Sequence, residues 1–360
     1  MAETRVSAIQ YTSQWYSRLA RYLDSQSNRV ELLVPEAVSS MTRYILGRLV
    51  SLLFVIIAVS MITFSLMHAV PGGPFDEEKQ PLPPAAKANI LRKYGLDQPV
   101  WKQYVLYMSN AVRFDFGIPY QQPTSTVAEL IRSTWGITAQ VGLMTILLAF
   151  GLGIPLGIIA AYNQNSWIDT VVTFMSMLGF IMPSFVLGAL AILFFGVYLD
   201  WLPLGGWGDT GCLVDRYFCK DWIMPVVAYA LAPLAIVARY TRSSVIDYLN
   251  SDFVRTARAK GLGERTVMLR HVLRNALIPM VTVFGPIIPD LMTGSIFIES
   301  IFRIPGLGKY FVTSTFSRDY PMVMATVLLI AVLWGTVYLA TDILYTRLDP
   351  RVRLGAQEGQ

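Results

Sequence analysis

Long apolar runs almost free of charge recur along this chain, and nothing else in it limits the possible folds so severely. Leu49–Val70 carries no formal charge and only His68 near its end. Gly136–Ala161 and Thr170–Leu199 are equally clean. A bilayer core requires about 20 such residues in a helix, because a helix satisfies its own backbone where water is absent. Ile223–Val237 is short for a span, carries Pro225 and Pro233, and borrows length from Ala238–Leu249. Met280–Phe302 contains Pro286, Pro289, Asp290 and Glu299, whereas Met322–Tyr345 contains only Asp342. The first run is too long, too far from Met1 and too poor in small-x-small sites to read as a cleaved signal. The expectation is an all-α integral membrane protein with six transmembrane helices. Composition agrees: 54% of residues are hydrophobic and 15% charged, against roughly 25% charge in soluble domains. These values exclude disordered, collagenous and disulfide-scaffold classes.

Six crossings put both termini on one side, and basic residues choose the side. Arg239–Ile278 holds eight Lys/Arg against three acids, and the first 48 residues add six basic residues. Asp200–Trp222 has two basic and four acidic residues. The N- and C-termini are therefore expected in the cytoplasm, which also accounts for the net charge of +5 without nucleic acid. The expected organisation is a cytoplasmic extension over 1–44 and a first span over 45–70. An external helical insert follows over 71–135, then a core of five spans over 136–346 with a cytoplasmic loop over 239–278. A tail covers 347–360. The extension has Trp15, Leu19, Tyr22 and Leu23 near helical spacing beside Arg18 and Arg21, a pattern that touches membrane lipids or stays weakly ordered. Cys212 and Cys219, the only two cysteines, fall in the loop assigned outside. An oxidising compartment allows them to bridge, though spacing alone does not decide between a bridge and two thiols.

The segment between the fourth and fifth runs carries the mechanism. Ser251 or Asp252 can cap a short helix, and Gly261 suits the left-handed position just past its end, followed by Leu262 and Gly263. Ala257 and Ala259 keep one surface slim, and Arg255, Arg258 and Lys260 keep it charged. Such a helix is either a plug for a groove on a soluble partner or an ordinary solvated loop. A second helical pattern through Met268, Leu269, Val272, Leu273 and Ala276 leads into the fifth run.

Thr256-Ala257, Gly261 and the run to Leu277-Ile278-Pro279 resemble the EAA loop of ABC-importer permeases. Arg255-Thr-Ala-Arg-Ala-Lys-Gly-Leu262 and Arg270-His-Val-Leu-Arg-Asn-Ala-Leu-Ile-Pro279 are similar to the dipeptide/oligopeptide/nickel branch of that family. So are Pro71-Gly-Gly-Pro74, Arg113-Phe-Asp-Phe-Gly117, Ile154-Pro-Leu-Gly157, Glu299-Ser-Ile-Phe302, Pro305-Gly-Leu-Gly308 and Leu348-Asp-Pro-Arg351. The resemblance runs from about Met41 to Arg353. It implies a type I ABC-importer transmembrane domain whose coupling helix, Asp252 with Arg255 to Gly263, seats on an ATP-binding subunit. It further implies two such subunits holding ATP and Mg, a second homologous permease, and an extracytoplasmic solute-binding protein. The cargo would be a peptide, with nickel or an oligosaccharide- or opine-type solute as alternatives. The setting would be a bacterial or archaeal inner or plasma membrane. Arg255 departs from the broader family motif, which has glutamate there, although the peptide branch often differs at that place. The N-terminal extension is longer than the resemblance leads one to expect, and nothing in the family explains it.

The remaining signals bear on what the chain does itself. Gly308-Lys309 lacks the glycine and Ser/Thr of a phosphate loop, since Arg303 and Tyr310 stand there. Hydrolysis is thus expected in separate subunits, and this chain is expected to have no cofactor, no metal and no catalytic residue. An intramembrane enzyme would need a nucleophile or metal cluster within the spans; a secondary transporter would work without ATPases. Asp290 and Glu299 are candidate pathway or structural residues, because a carboxylate in a bilayer usually faces a cavity or partner. On one continuous helix they would lie on opposite faces about 13 Å apart. Asp290 is the stronger pathway candidate, suited to a peptide's amino terminus, and Glu299 suits loop amides. Gly153 and Gly157 fit close helix packing.

Overall fold

The computed structural model describes residues 45–70, 94–208 and 219–348, together with Phe75, Asn89 and Arg92. The N-terminal extension, Pro71–Pro74, Cys212 and the tail beyond Leu348 lie outside the described residues. Among the described residues, the helical stretch 45–53 belongs to one unit and Phe54–Leu348 to another.

Every regular element among the described residues is helical. In chain order they are α1 (Ile45–Ala69), α2 (Val100–Ala111), α3 (Val127–Tyr162), α4 (Trp167–Ile181) and α5 (Ser184–Tyr198). Then come α6 (Ile223–Leu249), α7 (Asp252–Ala259), α8 (Leu273–Phe284), α9 (Ile287–Thr293), α10 (Ile296–Ile301), α11 (Leu307–Phe316) and α12 (Tyr320–Leu348). α1, α3, α6 with its leading turn from Lys220, and α12 are long and apolar enough to cross a membrane; α4 and α5 meet the same test only as a bent pair, which counted as one span makes a fifth.

Two expected spans are not single helices. Thr170–Leu199 turns by 100° between α4 and α5. Pro183 bars helical backbone at the preceding residue, and Met182 is extended at φ −76°, ψ 125°. Met280–Phe302 is divided among α8, α9 and α10. Gly294 breaks it at φ +90°, a conformation open to glycine and strained for other residues. The opposite-face geometry expected for Asp290 and Glu299 therefore does not apply: they stand on different helices. The second run also starts earlier than the insert boundary at 135. α3 begins at Val127, fixed by a capping box in which Thr126 accepts from the Glu129 N–H while Glu129 accepts from the Thr126 N–H.

α3 and α6 form the central seam. Thr138, Gly142, Thr145, Ala149, Gly153 and Gly157 recur every three or four residues along α3 and are buried. A Cβ at Gly153 would stand 2.8 Å from Val237 Cγ1, and one at Gly157 2.5 Å from the Ala238 carbonyl. Backbones this close leave no room for side chains, so close helix packing is what the glycine pair provides. Larger residues pack at the ends of the seam. Near α10, Trp207 stacks on Trp222 at 4.6 Å, together with Ile298, Phe302 and Ile304. Near α7, a second cluster joins Ala161, Val245, Val254, Ala257, Val267, Val272 and Ala276.

Candidate functional site

α7 follows α6 after Asn250 and Ser251 and ends eight residues later. Ser251 occupies the capping position, yet its hydroxyl turns back to donate to the Tyr248 carbonyl. The far end closes by a Schellman pattern. The Gly261 N–H donates to the Arg258 carbonyl at 2.9 Å and the Leu262 N–H to the Ala257 carbonyl at 3.3 Å, with Gly261 at φ +78°. The helix is strongly two-sided. Val254 and Ala257 are buried, whereas Asp252, Phe253, Arg255, Thr256, Arg258, Ala259, Lys260, Gly261, Leu262 and Gly263 are exposed. Ala257, expected on the slim outer surface, instead belongs to the base: its small side chain lets α7 sit against α6 and the helix that follows. The outer face is left with two large apolar groups, Phe253 and Leu262, and the small Ala259, among Arg255, Arg258 and Lys260. Arg258 is tied to Glu264 by two bonds of 2.8 and 3.2 Å, which hold its guanidinium above its usual pKa and pin the glycine bend to the next helical turn.

The chain past the bend is a helical turn (Glu264–Thr266) and a π segment (Val267–Val272) running into α8. α6, α7 and this π segment share one apolar cluster, so α7 is packed onto the helices that carry it and is not a free loop.

A second polar junction lies at the same end of the seam. Arg242 of α6 donates through Nε and Nη2 to the two oxygens of Asp169 in the first turn of α4, at 2.5 and 2.7 Å. Asp169 also accepts from the Asn165 N–H at 3.0 Å. Sequence reasoning missed this pair. Arg242 was visible only as one basic residue among eight, although Ser166-x-x-Asp169 has the form of a helix start, and Ser166 does cap α4.

The two singled-out carboxylates are in opposite situations. Glu299 is 1% exposed; it accepts from the Thr138 hydroxyl at 2.8 Å and the Lys309 N–H at 3.1 Å. Thr138 in turn accepts from the Leu307 N–H at 2.8 Å. A Cβ on Gly294, Gly306 or Gly308 would strike the carboxylate, so three glycines form its cradle at the start of α11. This is a structural knot binding α3, α10 and α11. Asp290 is exposed on α9, with no side-chain hydrogen bond among the described residues. Cys219 is buried and disulfide-bonded.

These features define a class: a multi-pass helical membrane protein with a fixed finger protruding from its packed core. A family model described as binding-protein-dependent transport system inner membrane component matches residues 153–354, and the N-terminal model of the same system matches residues 41–121. The chain belongs to this family of transport-system inner membrane components. Similar relatives are the dipeptide transport system permease protein DppB of Lactococcus lactis subsp. cremoris and the oligopeptide transport system permease protein OppB of Haemophilus influenzae. Each is 40% identical over 87% of this chain and 100% of its own length. OppB of Escherichia coli K12 is 38% identical with the same coverage. A solved chain of the inward-facing MetNI methionine ABC transporter overlays with TM-score 0.49 at 17% identity, covering 61% of this chain and 96% of its own.

Proposed function

We propose that the chain is a permease subunit of an ATP-driven importer of di- and oligopeptides, with six crossings and both termini in the cytoplasm. α7 then projects into the cytoplasm, where two ATP-binding subunits, holding ATP and Mg, serve this finger and that of a second homologous permease. A solute-binding protein delivers peptide to the opposite face, where α2 and the loop over 200–222 lie. The bent α4–α5 pair and the α8–α9–α10 series supply the crossings that are not single long helices. The chain itself binds no nucleotide. Cys219 pairs with Cys212, the one other cysteine.

One observation carries this reading: a finger exposed on its outer face and packed at its base into the two helices it joins. Closure of ATPase subunits around such a finger moves α6 and α8 together. It shifts the balance between inward- and outward-facing states by the difference in ATPase affinity for the two. The relatives named for dipeptide and oligopeptide transport support the choice of cargo.

The test is reconstitution with candidate ATPases, asking which peptide-loaded binding protein stimulates nucleotide turnover. Gly261→Val strains the backbone, since φ is +78°, while its side chain meets nothing within 4 Å. It should lower ATP-driven uptake at least about tenfold with insertion intact, the equivalent of ~1.4 kcal/mol of lost coupling. Unchanged uptake would overturn the coupling role.

A further inference from the structure

A cavity of about 720 Å³ lies beside the seam, lined by Ser176 and Phe180 of α4, Arg239, Tyr240 and Arg242 of α6, and Ile287 of α9, among others. Its volume falls within the roughly 300–1,000 Å³ of small-molecule sites. No acidic residue lines it. Arg242 is already neutralised by Asp169, and Arg239 is exposed with no ion-pair partner among the described residues. The cavity thus presents one uncompensated cation, two hydroxyls at Ser176 and Tyr240, and apolar walls.

The opposite charge stands further along. α6 runs toward the finger and α9 runs away from it, so Arg239 lies nearer the finger than the part of α9 beyond Ile287. Asp290 follows Ile287 by three residues, about 4.5 Å of rise, so it stands just beyond the cavity lining, exposed and with no side-chain hydrogen bond among the described residues. A cation toward the finger and an anion away from it match a molecule with an amine at one end and a carboxylate at the other. A phospholipid, whose charges sit together in one headgroup, does not match.

We infer that this cavity is a transit station for zwitterionic peptides, Arg239 receiving the carboxylate and Asp290 the amino terminus. The inference rests on the peptide-import reading and adds the orientation of the cargo, carboxylate leading toward the cytoplasm. Thr173 and Arg242 take no direct part, being committed to Asp169.

The test uses the assembled transporter in liposomes with its second permease, ATPases and saturating binding protein. Uptake is compared for trialanine, its C-terminal amide and its N-acetyl form. Trialanine should outpace the amide by about tenfold, the equivalent of ~1.4 kcal/mol, since only the free acid offers Arg239 a charged partner. Arg239→Gln should bring that ratio to near one, and Arg239→Lys should retain most of it. Asp290→Asn should collapse only the preference for the free amine over the acetylated form. If Arg239→Gln slows acid and amide by the same factor, or if Arg239→Lys loses the preference as fully as Gln, the station is overturned while peptide import stands. If the unmodified transporter takes up none of the three, both readings fall together.

Discussion

At the residue scale, the buried carboxylates Asp169 and Glu299 work in closed sets, and removing one member exposes the cost of the others. Arg242→Gln leaves the Asp169 carboxylate, 7% exposed, without its cation; because Arg242 is itself 29% exposed, water screens the pair and the loss should be about 1–3 kcal/mol. Asp169→Asn with Arg242→Gln should recover most of that loss. Thermal unfolding of the purified protein in detergent would read a coupling above about 1 kcal/mol; additive losses would mean that the pair holds nothing together. Glu299→Ala should be as severe, because Thr138 and the Lys309 N–H would be stranded at ~1–3 kcal/mol each. Asp290→Asn should leave unfolding unchanged and alter transport alone. Both acids were visible in the sequence as carboxylates in an apolar run. The fit of Glu299 to loop amides and of Asp290 to a pathway was legible as well; the glycine cradle was not, being drawn from three positions separated in sequence.

At the scale of elements, the seam between α3 and α6 predicts which glycines matter. Gly157→Ala drives a Cβ into the Ala238 carbonyl and Thr241, so the helices must separate and stability should fall by about 1–3 kcal/mol. Gly151→Ala, six residues away with open space around it, should be neutral or raise stability by up to ~1 kcal/mol through helix propensity. Equal effects in the two variants would contradict the seam. The Gly153/Gly157 spacing made this contact legible in sequence, as did the capping of α7 by Gly261, where a single residue type answers a local backbone demand. The interruptions were less legible. Pro225 and Pro233 lie in one continuous helix, α6, while Pro183 marks a 100° bend. A proline states that a hydrogen bond is missing; neighbouring elements decide whether the axis turns. Ala257 shows the same limit, since hydropathy alone could not tell the base of the finger from its outer face.

At the scale of the whole molecule, residues far apart in sequence close the end of the protein that bears α2. Asp319 is buried and accepts from the Gln121 N–H at 3.1 Å and the Met322 N–H at 3.4 Å. Burial raises its pKa, outweighing those bonds. A carboxyl whose pKa is higher folded than unfolded binds more protons in the folded state between the two values. Stability therefore rises as pH falls through that window and levels off below the unfolded value. Relative to Asp319→Asn, the unmodified protein should gain unfolding temperature on acidification from pH 7; a relative loss would mean the N–H bonds dominate. α3 has a consequence at this scale as well. Its 36 residues extend about 54 Å, nearly twice the thickness of a hydrocarbon core. It starts at the capping box beside the insert and reaches Ala161 in the cluster beneath α7. Although Pro155 interrupts its bonding ladder, one continuous helix thus reaches from the insert to the footing of the finger, so the two ends share a single element.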